Sequence, residues 1–171
     1  MIGMIAFLAA SASGEIAHGP LAPAEAGKIQ CHSPDMAKRT CRSLAYYSLD
    51  DSGNYINTAV VLVSADRQLT LETSTPVKVI GEAVCGEVRA EDLLRGRVMD
   101  HGKPLGDEQS AVILERVASS MFGLFGHQIC TNYKPAGDFL IAKYSIDGIF
   151  RPEISQMVIW VAPSAGFSVA P

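Results

Sequence analysis

Hydrophobic and polar positions alternate along most of the chain and then, once, stop alternating. RSLAYYSL sets Leu44, Tyr46 and Ser48 on one side and Ala45, Tyr47 and Leu49 on the other. YINTAVVLV groups Ile56, Thr58, Val60 and Leu62, and QLTLETS sets Leu69 and Leu71 against Thr70 and Glu72. A period of two over such lengths predicts strands. Turn residues separate them at Asp50-Asp51-Ser52-Gly53-Asn54 and Ser64-Ala65-Asp66-Arg67. Thr75-Pro76 marks a strand start or an edge, and VKVIGEAVC reads as a continuing strand. Runs this close together leave no room for parallel crossovers, so the expectation is an antiparallel meander of about four strands.

The pattern returns near the C-terminus. FLIAKYSI presents Leu140, Ala142, Tyr144 and Ile146 as its more apolar face. Asp147-Gly148 is a hairpin-turn pair, SQMVIWVA reads as a strand stopped by Pro163, and Gly166-Phe167-Ser168-Val169 as a short edge strand.

The exception is Asp107 to Cys130. Ala111, Leu114, Val117, Ala118, Met121 and Phe125 recur at steps of three and four, with Ile113, Phe122 and Leu124 widening the stripe. That predicts one long helix pressed on a sheet, with Cys130 at its far end. Gly123 and Gly126 weaken the last turn by about 1 kcal/mol each against Ala, and either end the helix or open it onto a site. Arg89 to Arg95 reads as a short helix with Val88, Leu93 and Leu94 inward, and Ser33-Pro34-Asp35 as the start of a helical turn. The resulting expectation is an α+β fold: an antiparallel sheet of about five to seven strands with one long helix packed on one face, forming a single domain over residues 29–171.

Composition narrows the setting. The chain has 171 residues, 48% hydrophobic and 19% charged, with a formal net charge of -4. Its densest basic patch is Lys38, Arg39 and Arg42, too small for a nucleic-acid surface. Residues 1–12 (MIGMIAFLAASA) read as a signal peptide, an apolar run ending in small residues, and 13–28 as a flexible leader rich in Ala, Gly and Pro. Beyond them no apolar run is long enough to span a bilayer. The expected location is therefore periplasmic or secreted. Four cysteines, Cys31, Cys41, Cys85 and Cys130, fit that compartment as two disulfides. Three pairings are possible. The short loop between Cys31 and Cys41 favours Cys31–Cys41 with Cys85–Cys130, the latter tying a strand end to the helix end. None of the cysteines shows the close spacing of a zinc site.

Chemistry is sparse. The chain lacks G-x-S-x-G, S-x-x-K, H-E-x-x-H, the P-loop and the dinucleotide fingerprint. His18, His32, His101 and His127 are far apart in sequence, and no metal or cofactor is expected. Met121, Phe122 and Phe125 read as core. His127, Tyr133 and Trp160 are the candidate ligand-binding residues: the first two bracket Cys130, and all three would form an aromatic-lined patch if the last strands pair beside the helix exit. Two functions from different classes follow. One is an exported domain binding a protein partner or a small apolar ligand. The other is a small periplasmic hydrolase or isomerase whose site assembles only in three dimensions.

Overall fold

Alternation does produce strands, but they close on themselves. The structure, a computed structural model, describes residues 19–171. In chain order the elements are α1 (Ala22–Glu25), β1 (Ile29–His32), β2 (Thr40–Cys41), β3 (Ser43–Leu49), β4 (Tyr55–Ser64), β5 (Leu69–Ile80), β6 (Ala83–Glu87), α2 (Ala90–Leu94), β7 (Arg97–Asp100), β8 (Lys103–Pro104) and α3 (Asp107–Met121). A 3-10 turn over Phe122–Leu124 follows, then β9 (Gln128–Ala136), β10 (Phe139–Ile146), β11 (Ile149–Val161) and β12 (Ser168–Val169).

Eight of the strands form a closed antiparallel barrel in the order β1-β3-β4-β5-β6-β9-β10-β11, and β11 returns to pair with β1. Each barrel strand neighbours the one before it, so the path is up and down. This overturns the expected sheet of five to seven strands with a helix on one face: the protein is mostly β, and its helices sit on the barrel rather than across an open sheet. The physical reason lies in the seam, where β11 pairs with β1 and closes the sheet. With both edges paired, the barrel leaves no row of unsatisfied backbone groups between its first and last strands.

Between β6 and β9 the chain makes a long excursion through α2, β7, β8 and α3. β7 pairs with the first part of β5 (Leu69↔Asp100 to Glu72↔Arg97), whereas β6 pairs with its last part (Val77↔Gly86 to Ile80↔Ala83). Over residues 73–76 β5 has β4 alone as a neighbour, and the wall parts there. Pro76 lies in this stretch, where a residue unable to donate to a ladder is tolerated. β5 therefore runs straight through Thr75-Pro76, and VKVIGEAVC, read as one strand, is broken instead at Gly81, whose φ of 61° suits the turn.

The second half of the segment read as a leader carries α1, and Leu21 just before it is 1% exposed. Leu21 packs with Val77 and Val84, with Tyr47, Tyr55, Tyr133 and Trp160 around them, and stops one end of the barrel. Residues 1–12, read as a signal peptide, lie outside the described residues. The other end is covered by α2 and α3, where Leu71, Leu93, Val98 and Leu114 form a core with Val117, Met121 and Phe125 against it. A third cluster lies outside the barrel wall: Ile29, Cys31, Leu44, Ile159 and Val161 are covered by Cys41, Phe167 and Val169.

Both expected disulfides are present, Cys31–Cys41 and Cys85–Cys130. Cys130, however, is not at a helix end. The helix stops at Met121, Gly126 turns the chain with φ 81°, and Cys130 faces Cys85 directly across the β6–β9 pair. Nor does a helical turn form between Cys31 and Cys41: Ser33 has a φ of 49°, and the Asp35 carboxylate accepts the N–H groups of Ala37 and Lys38 in a tight turn. Leu94, expected inward, is exposed, while Leu93 on the same helix is buried.

Candidate functional site

Eight strands enclose an interior that side chains just fill, or that holds one small ligand when they do not. Here they do not. Register places Ala45, Ala59 and Thr73 side by side on β3, β4 and β5, and Gly86 beside Val77. Small residues on one level of the wall leave an unfilled space of about 430 Å³. Val61 and Val63 (β4), Leu71 and Val77 (β5), Val84 (β6) and Ile129 (β9) form its apolar wall, and Leu93, Val117, Met121 and Phe125 close it from the helical side. Val61 is 39% exposed although it faces inward beside Leu71, because nothing fills the space in front of it.

Deeper in, the wall becomes polar. Tyr47 is opposite Asn57, and Asn57 is opposite Thr75, so the three form one rung across β3, β4 and β5. Thr73 and Thr131 also line the space. At the part in the wall beside β5 stand Glu87, Arg89 and Asp92. Asp92 is buried and Arg89 is bound to it through two hydrogen bonds, Nε at 2.8 Å and a terminal nitrogen at 2.6 Å. This two-point pairing satisfies the buried carboxylate and pins α2 beside the opening.

Behind Tyr47 runs a buried polar network. Gln30, fully buried, accepts hydrogen bonds from the hydroxyls of Tyr47 (3.0 Å) and Tyr133 (3.2 Å), and its Oε1 lies 3.3 Å from His32 Nε2. His32 Nδ1 is 3.4 Å from the Tyr144 hydroxyl, to which Gln156 donates at 2.7 Å. Burial lowers the His32 pKa to about 4 and raises that of Tyr144 to about 12. It also raises Tyr47 and, further, Tyr133, where the neighbouring Tyr47 adds to the shift. At neutral pH the histidine is thus uncharged and the tyrosines protonated, a set of neutral hydrogen bonds rather than a charged acid–base pair.

The three sequence-derived candidates do not converge. Tyr133 and Trp160 both point into the barrel: Tyr133 reaches Gln30, and Trp160 packs beside Tyr47 with ring centroids 6.1 Å apart. His127 sits elsewhere, half-exposed where the chain leaves the 3-10 turn, bonded to Asp147 on the β10–β11 turn. That contact, with the Gln128 N–H, holds the Asp147 carboxyl below its usual range. Met121 and Phe125, read as core, line the space as well as packing on Leu114, whereas Phe122 is exposed. The lining residues Tyr47, Asn57, Thr73, Thr75 and Arg89 were not singled out in the sequence. The available clue was the alternation of small and large residues at the inward positions of β3 and β4, a mark of small barrels. Among the described residues no group of three or more histidine, cysteine or acidic side chains is placed to hold a metal ion.

Compared with models of known families, with curated proteins and with solved structures, the chain matches none of them.

Proposed function

We propose that the protein binds a small, mainly apolar ligand inside its barrel. The observation that carries this reading is the partly open space of about 430 Å³ lined by Val61, Val63, Leu71, Val77, Val84 and Ile129, with Val117, Met121 and Phe125 on its helical side. Ligand pockets of several hundred Å³ with apolar walls and a few polar groups are the usual form of small-molecule sites. Two disulfides support an exported protein, periplasmic or secreted, since such bonds persist in oxidising compartments. The hydrolase or isomerase reading has less support: Arg89 and Asp92 at the cavity are tied to each other, and His32, buried behind Tyr47 with a pKa of about 4, is a weak base.

Fluorescence titration with the apolar dye N-phenyl-1-naphthylamine tests the reading. The protein should enhance the dye's emission saturably. Val61→Trp, which places an indole in the empty space without displacing a packed side chain, should abolish the enhancement while the melting temperature holds or rises. No saturable enhancement by the unaltered protein, or equal binding by the variant, would overturn the proposal.

A further inference from the structure

We propose that the cavity selects an uncharged amphipath, a single chain of about a dozen carbons with a hydroxyl or carbonyl head, bound with its head on the Tyr47–Asn57–Thr75 rung and its body beneath α3. This rests on the binding reading above and adds the chemistry and direction of the ligand.

The direction follows from the order of the rungs. Going along β4 and β5, the pairs facing inward are Tyr55 with Val77, Asn57 with Thr75, Ala59 with Thr73, and Val61 with Leu71. Below the first pair Leu21 and α1 stop the barrel, and Tyr55 hydrogen-bonds Glu25. Polar groups therefore cluster near the closed end, in Asn57, Thr75, Tyr47, Thr73 and, across the barrel, Thr131. From Val61 and Leu71 upward the walls are mostly apolar as far as Val117, Met121 and Phe125, apart from Glu87 and the paired Arg89 and Asp92 at the part in the wall. A ligand with a polar end and an apolar body has one favourable orientation here.

The head's lack of charge follows from what the wall offers. Its deep groups are hydroxyls, a phenol and an amide, all neutral. Placing an ion among them without a counter-charge costs several kcal/mol. Among the described residues Arg89 is the sole cation lining the cavity, and Asp92 already engages two of its nitrogens. Drawing Arg89 to a ligand carboxylate would strand the buried Asp92. An ammonium head has only Asp92, already paired, and Glu87, which is exposed at the rim. Size follows from volume: at ~30 Å³ for a water-sized group, a space of about 430 Å³ takes one short acyl chain rather than two.

The test compares three probes of equal chain length, 1-dodecanol, dodecanoate and dodecylamine, displacing N-phenyl-1-naphthylamine at pH 7.5, with the bound species identified by native mass spectrometry. Dodecanol should displace the dye at a concentration at least tenfold lower than either ion. Thr75→Val and, separately, Asn57→Leu should each erase most of that advantage while keeping the far-UV circular dichroism and cooperative melting of the unaltered protein, which shows that the variants are folded. Dodecanoate displacing best, with its advantage lost in Arg89→Gln, would replace the inference with carboxylate capture. Equal displacement by all three would place the head in solvent and overturn it, as would binding of the dye with no displacement by any probe. Failure of the dye itself to bind would instead remove the cavity reading on which the inference stands.

Discussion

Gln30 and His32 show how much one short strand contributes to the interior. β1 has four residues, all buried, and its two inward side chains are polar. Gln30 Oε1 accepts from two tyrosines while its Nε2 has no hydrogen-bond partner. Replacing Gln30 by Leu leaves two buried phenols without their acceptor, and should lower unfolding free energy by about 1–3 kcal/mol in urea titrations. His32 sets a pH dependence. Its folded pKa of about 4 lies below the ordinary histidine value of 6.5, so between those values the unfolded chain binds more protons than the native one. Stability therefore rises with pH across that window, is complete above about 6.5, and falls as acid is added towards pH 4. The shift corresponds to roughly 3 kcal/mol at 1.36 kcal/mol per unit. Urea midpoints measured at half-unit steps from pH 4.5 to 7.5 should show this slope, and His32→Gln should flatten it. An unchanged slope in the variant would assign the effect to other groups.

At the scale of elements, the excursion between β6 and β9 is held at both feet. The Cys85–Cys130 bond closes a sequence separation of 45 residues and spans the root of the insertion, whereas Cys31–Cys41 closes one of 10. By loop entropy alone the first stabilises by about 4 kcal/mol and the second by about 3. The variant with Ser at both 85 and 130 should accordingly melt lower than that with Ser at both 31 and 41. Within the insertion, Gly96 brings α2 against β5 with no room for a side chain: a Cβ would lie 2.7 Å from Leu71 Cδ1 and 2.8 Å from the Leu93 carbonyl oxygen. Gly96→Ala should cost about 1–3 kcal/mol and accelerate hydrogen exchange of the α2 amides relative to β10. Much of this element list was legible in the sequence. Alternation located β3, the bulk of β4, and β10; Asp147 and Gly148, both at positive φ, make the expected tight turn; and the helix was correct to Met121. What alternation could not reveal was which face is inside. In YINTAVVLV, Ile56, Val60 and Leu62 are the larger apolar residues, yet the inward face is Tyr55, Asn57, Ala59, Val61 and Val63. In a closed barrel with an open interior, the inward positions need not be the greasier ones. Of His127, Tyr133 and Trp160, the two that bracket Cys130 in sequence, His127 and Tyr133, part in the fold, and it is Trp160 that joins Tyr133 inside the barrel.

For the molecule as a whole, an interior left partly empty makes stability depend on what occupies it. A ligand bound to the native state alone adds RT ln(1 + [L]/Kd), about 2.7 kcal/mol at a hundredfold excess over Kd. Melting temperature should rise continuously with the concentration of a bound amphipath in the native protein and not in Val61→Trp. A melting point indifferent to a large excess of ligand would mean that the native state does not bind it preferentially. The covers at the two ends are unequal. Leu21, just before α1, is fully buried in one end, whereas Leu114 is the one buried residue of α3 at the other. Hydrogen exchange should thus be faster in α3 than in the barrel strands, making the helical end the path of entry.

The β11–β1 seam has a consequence for the order of events during synthesis. Ile29 pairs with Val161, Gln30 with Trp160 and Cys31 with Ile159, so the first strand of the barrel waits for the last. A ribosome must deliver nearly the whole domain before that seam can form, and until then β1 and β10 each expose a backbone row able to recruit a stranger. Such a chain is vulnerable in its adolescence rather than at maturity. Stalled chains ending before β11 should be captured by holdase chaperones and digested rapidly, and adding the final strand should abolish both in a single step.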